Sequence, residues 1–160
     1  MLPENQYSIL FMKHCLGFIL LFIAFTNSCD HLPTSHGNQA EDVVDSFCQA
    51  YFQYQFERAM AFTTDESHKW LKYAASNVHQ EDVDLLNSQE TGPSIDIEEV
   101  VTPENDTIGY ALVTANNYLV MDIIGEVGHI RDNVQYRLDM VKKDGKWKIK
   151  LNGLPREERK

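Results

Sequence analysis

Hydrophobic and polar positions alternate with a period of two through the last third of the chain. The alternation is most regular from Val134 to Leu151, V-Q-Y-R-L-D-M-V-K-K-D-G-K-W-K-I-K-L. Alternation of this kind predicts half-buried strand. Asp144-Gly145 suits the positive φ angles of a two-residue I′ turn, so the segment reads as a β-hairpin. That turn sets Lys143 against Lys146, Lys142 against Trp147, Met140 against Ile149, and Leu138 against Leu151. One face then carries Tyr136, Leu138, Met140, Trp147, Ile149 and Leu151. The other carries Arg137, Asp139, Val141, Lys148 and Lys150, with Asp139 and Lys150 expected as a cross-strand charge pair. A slip of one residue would bury the charges and expose the apolar set, so the register is strongly specified.

Upstream, the pattern is strand-like but less regular. Thr91-Gly92-Pro93 breaks a helical run. Ile95, Ile97, Val100 and Val101 then predict a first strand, with Asp96, Glu98 and Glu99 pointing away or lying at an edge. Pro103 to Asp106 is a turn. Thr107 to Thr114 alternates Ile108, Tyr110 and Leu112 against Ala111 and Val113. Asn116-Asn117 interrupts the run as a bulge or a turn, and Tyr118 to Ile124 is apolar enough to be strand again. Gly125, Gly128 and Asp132-Asn133 lead into the hairpin, with His129 read as a loop residue.

The period changes to helical in the half before Thr91. Asn38 and Glu41 form a capping-box pattern ahead of Val43, Val44, Phe47, Cys48 and Tyr51. Glu41, Asp42 and Asp45 sit where the helix dipole favours negative charge. This helix is expected to end near Tyr54. Phe56 to Phe62 reads as a second, short helix. Thr63-Thr64-Asp65-Glu66 is a capping sequence that opens a third, carrying Trp70, Leu71 and Ala74 on one side. Glu81 to Asn87 forms a fourth. Tyr51, Phe52, Tyr54, Phe56, Trp70 and Tyr73 recur at spacings that fill or rim a core rather than line a ligand box.

The amino terminus is different in kind. Cys15 to Phe25 is an unbroken apolar run of eleven residues. A membrane-spanning helix needs about 20, whereas a signal-peptide core needs about 7–15. Lys13 supplies the preceding positive charge, and Met12 is a better start for such a signal than Met1. The run ends at Thr26-Asn27-Ser28-Cys29-Asp30, which resembles a bacterial lipoprotein signal. The resemblance implies cleavage after Ser28, so that residues 1–28 are removed and Cys29 becomes the lipidated amino terminus, carrying acyl chains such as palmitate. Thr26 and Asn27 depart from the commonest residues of that pattern. An ordinary secretory signal is the alternative, with Cys29 buried or paired. In the lipoprotein reading Cys48 is the one remaining thiol, with no partner for a disulfide. It falls on an apolar helix face, as a buried structural cysteine does. Residues 29–39 read as a polar tether, residues 40–154 as a single domain, and residues 155–160 as a polar tail.

Composition narrows the partners. The 160-residue chain has 14 Lys and Arg against 24 Asp and Glu, a net charge of −10. That balance argues against nucleic acid, which needs clustered cations. No metal-ligand spacing is present: the acidic P-E-N-D turn lacks the EF-hand pattern. Asp106-Thr107-Ile108 resembles the Asp-Thr-aliphatic O-glycosylation site of exported proteins in some bacterial groups.

Helices followed by strands favour an α+β fold, with N-terminal helices packed on a curved antiparallel sheet. Three segments carry a closer resemblance: V-V-D-S-F-C-Q-A-Y-F, F-E-R-A-M-A-F-T-T, and the closing D-G-K-W-K-I-K. Over about residues 40 to 154 the chain resembles the nuclear-transport-factor-2-like (ketosteroid-isomerase-like, cystatin-like) superfamily, in particular its small bacterial lipoproteins. The resemblance implies a sheet wrapped around the first helix, with a cleft at its open end. Tyr51, Trp70, Tyr110, Tyr118, Asp122 and Tyr136 are the residues expected to line that cleft, and His129 is a further titratable group near it. Their spacing matches no catalytic pattern, so no catalytic residue, metal or cofactor is assigned. The expected function is a lipid-anchored envelope domain, held to the membrane through Cys29, that binds a small apolar ligand or a protein partner without catalysis. The alternatives are an isomerase or dehydratase using the cleft, and a structural domain with a filled cleft that forms a homodimer through its sheet. A fold of this kind hosts all three.

Overall fold

The computed structural model describes residues 39–104, 107–121 and 126–158. The signal sequence with Cys29, Asn38 of the capping box, Asp106 and Asp122 lie outside the described residues. The helices are α1 (Gln39–Tyr51), α2 (Phe56–Met60), α3 (His68–Ser76) and α4 (Gln80–Asn87), with a 3₁₀ turn at Asp65–Ser67. The strands are β1 (Ser94–Val101), β2 (Ile108–Asn116), β3 (Tyr118–Val120), β4 (His129–Arg131), β5 (Val134–Lys143) and β6 (Lys146–Ile149). This is an α+β arrangement in which the helices precede a strongly curled four-stranded antiparallel sheet, order β1-β2-β5-β6. A separate two-stranded ribbon pairs β3 with β4. No described helix is long and apolar enough to cross a membrane.

The hairpin forms as its pattern requires. Lys143 pairs with Lys146, Lys142 with Trp147, and Met140 with Ile149. Asp144 and Gly145 take φ of 51° and 78°, as an I′ turn demands. Tyr136, Leu138, Met140, Trp147 and Ile149 are buried, and they join Val44, Phe47 and Cys48 of α1 in one core. Two expectations fail at the open end. β6 stops at Ile149, and the Leu151 N–H leaves the ladder to donate to Ser67 Oγ at 2.9 Å, so Leu138 and Leu151 are buried but not paired. Lys150 N–H does bond Asp139 O at 2.8 Å, yet the charge contact of Asp139 is Arg137 on its own strand, Nε 3.6 Å away. Same-strand neighbours two residues apart share a face, so Arg137 competes directly for that carboxylate.

The outer edge of β6 is closed by the chain that follows α2. Ile149 N–H bonds Phe62 O at 2.9 Å, and Thr64 N–H bonds Ile149 O at 3.0 Å. Covering an edge in this way removes a site for further strand pairing. It also explains why Thr64 does not cap α3: its hydroxyl goes to Ser67 Oγ at 2.8 Å, and the segment tightens into the 3₁₀ turn before α3 begins at His68.

On β2 the core-facing set is Gly109, Ala111, Val113 and Ala115, while Tyr110 and Leu112 are half-buried on the outer face and Ile108 is 61% exposed. At Gly109 a side chain has no room. A Cβ at Gly109 would come within 2.4 Å of Val101 O. β1 contributes Ile95, Ile97 and Val100 to the core. The change from odd to even positions is made by a bulge between Ile97 and Glu99, which adds the one residue needed to restore the face.

The Asn116-Asn117 interruption is a corner, matched across the ribbon by Asp132-Asn133. Asn117 and Asn133 adopt φ of 51° and 57°, a conformation that Asn tolerates better than most residues. Asn117 N–H donates to Asp132 Oδ1 at 2.7 Å, and Asn133 N–H donates to Asn116 Oδ1 at 2.9 Å. The two strands therefore bend together, and β3–β4 continues in a new direction. His129 lies on β4, opposite Val120, and not in a loop: once the corner turns both strands, His129 to Arg131 falls into register with Tyr118 to Val120.

Candidate functional site

The end of α1 sets up the cluster of rings that occupies the interior. Gln55 N–H bonds Ala50 O at 2.8 Å and Tyr54 N–H bonds Tyr51 O at 3.0 Å. This is a Schellman termination, with Tyr54 at the left-handed position that glycine usually takes. Tyr54 has φ of 61°, and that backbone costs a bulky residue on the order of 1–2 kcal/mol. The side chain offsets the cost: its hydroxyl donates to Leu119 O on β3, and its ring packs 5.5 Å from Phe56 and 6.0 Å from Tyr118.

Beyond Tyr54 the rings are continuous. Phe47 stacks on Tyr51 at 5.3 Å, and Tyr51 meets Phe52 and Phe56 edge-on at 5.3 and 5.5 Å. Phe52 then touches Tyr118 at 4.8 Å and Tyr136 at 5.2 Å. Each pair contributes about 0.5–1.5 kcal/mol beyond its burial. Of the residues expected to line a cleft, Tyr51, Tyr118 and Tyr136 are brought together here, and all three are buried. Trp70 lies elsewhere, half-buried on α3 with Lys69 Nζ 5.1 Å over its ring. Tyr110 is on the outer sheet face, with the Arg137 guanidinium 3.9 Å over it.

The chemistry of the cluster is that of neutral phenols. Burial pushes the Tyr51, Tyr54 and Tyr118 hydroxyls well above the usual tyrosine range; the hydrogen bond with Tyr118 offsets part of this at Tyr54 and Tyr51, and charge repulsion among the neighbouring phenols adds to it. They act as hydrogen-bond donors to one another and to backbone. The carboxylate nearest in effect on Tyr54 is Asp82, which is fully buried. Its oxygens are already committed: Oδ1 accepts from Gly128 N–H and Oδ2 from His79 N–H, each at 2.8 Å. Asp82 thus ties the start of α4 to the strand-side residue Gly128. A Cβ at Gly128 would sit 2.8 Å from Val120 O, so the tie also needs a glycine there. Cys48 is fully buried, and burial raises its thiol far above the range of a reactive thiolate.

Asp82 is not among the residues singled out from sequence, and Tyr54 reads there only as the end of the first helix and as one of the aromatics that fill or rim a core. Asp82 sits three residues after His79, the N-cap of α4, so a capping role was visible in principle. Its burial depends on the ribbon folding over α4, which no local pattern encodes.

A surface concavity borders the cluster at Tyr54 and Phe56. A groove of about 410 Å³ runs between the α1–α2 link and α3, lined by Tyr54, Gln55, Phe56, Glu57, Arg58 and Ala75. Among the described residues no group of three or more His, Cys, Asp or Glu is arranged to hold a metal. No protein-family model matches this chain, and comparison with curated proteins gives no match.

Proposed function

We propose that this chain is a lipid-anchored bacterial envelope protein of the nuclear-transport-factor-2-like type. In this reading its domain recognises a protein partner without catalysis, through the outer face of the curled sheet. The observation that carries the reading is the contrast between the two faces of that sheet. Inside, Phe47, Tyr51, Phe52, Tyr118 and Tyr136 pack ring on ring, and Asp82, the one fully buried carboxylate among the described residues, is spent on backbone N–H groups. An isomerase or dehydratase needs a base and an acid converging on open space. Outside, Tyr110 and Leu112 on β2 share a face with Val101 and Val141, and Ile108 is 61% exposed beside them. The strip is half-buried apart from Ile108, and a partner laid on it would complete that burial; aromatic and Arg side chains such as the Tyr110–Arg137 pair are favoured at such contacts.

The flanks of that strip carry opposite charge. Asp96, Glu98 and Glu99 lie on β1, whereas Lys143, Lys146, Lys148 and Lys150 lie at the hairpin end. A second copy turned to lay one flank on the other would be complementary, so a homodimer through the sheet is the first partner to test. Sedimentation equilibrium of the domain from residue 36 onward should show self-association that Tyr110→Lys abolishes. A monomer at all concentrations would redirect the reading to a different protein partner. Lipidation is tested separately: the full chain should incorporate labelled palmitate, and Cys29→Ala should not. Label retained in Cys29→Ala would overturn the anchor.

A further inference from the structure

The groove between the α1–α2 link and α3 has a feature that the outer sheet face lacks. Its lining includes two aromatic side chains, Tyr54 and the buried Phe56, and the small, exposed Ala75 of α3. Its rim carries Arg58. In a chain of net charge −10, Arg131 is paired with Glu157 and Arg137 with Asp139. Arg58 has an amide instead: its Nη1 donates to Gln55 Oε1 at 3.1 Å, and Gln55 is in turn held by Gln53 at 3.2 Å. The guanidinium lines the groove with donors to spare, since it carries five N–H groups and this contact uses one.

From this arrangement we infer that the groove binds a small monocarboxylate with an apolar body. The carboxylate takes the remaining fork of Arg58, the side chain built for bidentate carboxylate recognition. The apolar body lies on Tyr54 and Phe56 against Ala75. Glu57 shares the rim, so every added negative charge on the ligand is opposed. That selects a monoanion over a phosphate dianion. The strained backbone at Tyr54 supports the same conclusion, because it fixes one wall of the groove: the ring is held by the Leu119 carbonyl and by Tyr118 and cannot swing in to fill the space. Backbone strain retained in this way is common at ligand sites. The site is independent of partner binding through the sheet.

The test uses phenylpropionate, its alcohol and its amine as probes, followed by amide chemical shifts of the protein. Phenylpropionate should shift resonances of residues 54–58 and 74–76. The alcohol should bind at least about tenfold more weakly, having lost the charge-assisted bonds, and the amine should not bind. Arg58→Gln should reduce phenylpropionate affinity to that of the alcohol, and Ala75→Leu should block both. Glu57→Gln should tighten binding by a few fold. All three variants change exposed positions, and unshifted Met140 and Ile149 resonances would verify their fold. Equal binding of the alcohol, weaker binding by Glu57→Gln, shifts elsewhere in the domain, or no binding at all would each overturn the inference.

Discussion

The β5–β6 hairpin and the β3–β4 ribbon are both two-stranded, yet they are held by different forces. The hairpin lays Leu138, Met140, Trp147 and Ile149 over α1, and all are buried. Its strands need no specific polar contact to find their register. The ribbon buries Tyr118, Leu119 and Val120, but its position depends on hydrogen bonds from particular side chains. Asp82 accepts from Gly128 N–H, Tyr54 donates to Leu119 O, and Arg131 makes two 2.9 Å bonds to Glu157. Asn117 adds bonds to Thr91 O at 2.5 Å and from Gln89 at 3.0 Å. Apolar packing tolerates small errors and is cooperative. A polar contact is specific, and it fails as a unit when one partner is removed. The hairpin should therefore set global stability, and the ribbon should open locally.

Substitutions separate the two regions. Trp147→Ala removes the largest side chain from the hairpin face and should cost about 3–5 kcal/mol, read as a shift of the whole denaturant transition. A loss under about 1 kcal/mol would place the core elsewhere. Alkaline titration probes the rings between the regions. The Tyr51, Tyr54 and Tyr118 pKa values are raised in the folded state, so their contribution is complete below the unfolded value of about 10 and declines as pH rises above it. Each phenol that ionises only on unfolding should lower stability by about 1.4 kcal/mol per pH unit there. Unfolding transitions followed from pH 9 to 12 would show an unchanged midpoint if the phenols were accessible.

Gly109→Ala should cost about 1–3 kcal/mol globally, because the new methyl meets the Val101 carbonyl. Asp82→Ala leaves the Gly128 and His79 N–H groups without acceptors and should cost a similar 1–3 kcal/mol. Its effect should be concentrated in faster amide exchange of residues 118–120 and 128–131. Tyr54→Phe, which deletes the hydroxyl that bonds Leu119 O and Tyr118, should cost about 1 kcal/mol and act on the same amides. If either ribbon variant instead destabilised Met140 and Ile149 equally, the two regions would be one cooperative unit.

The same contrast governs how much could be read from sequence. The hairpin register was legible from the turn to Met140 and Ile149, because period and turn chemistry agree there, but the departure of Leu151 to Ser67 was not. The helices were legible to within a few residues, and the end of α1 near Tyr54 is explained by its left-handed cap. The ribbon was not: Asn116-Asn117 and Asp132-Asn133 are visible as irregularities, but that they oppose one another follows only from the pairing of β2 with β5. Tyr51, Tyr118 and Tyr136 converge because three separate elements meet, whereas Tyr110 is one of the same residue type on the other face of the sheet. Face, not composition, decides which tyrosines become interior. The even-numbered positions of β2 look more hydrophobic than its alanines, yet the alanines are the buried set because they lie on the face turned to the core.

Native-state hydrogen exchange tests the division between hairpin and ribbon most directly. The Met140, Ile149 and Phe47 amides should exchange only through global unfolding, with the free energy of the denaturant transition, while Leu119 and Ile130 exchange at a distinctly lower free energy. Equal protection at all five amides, or lower protection at Met140 than at Leu119, would contradict the claim that buried apolar surface holds the hairpin and polar contacts hold the ribbon.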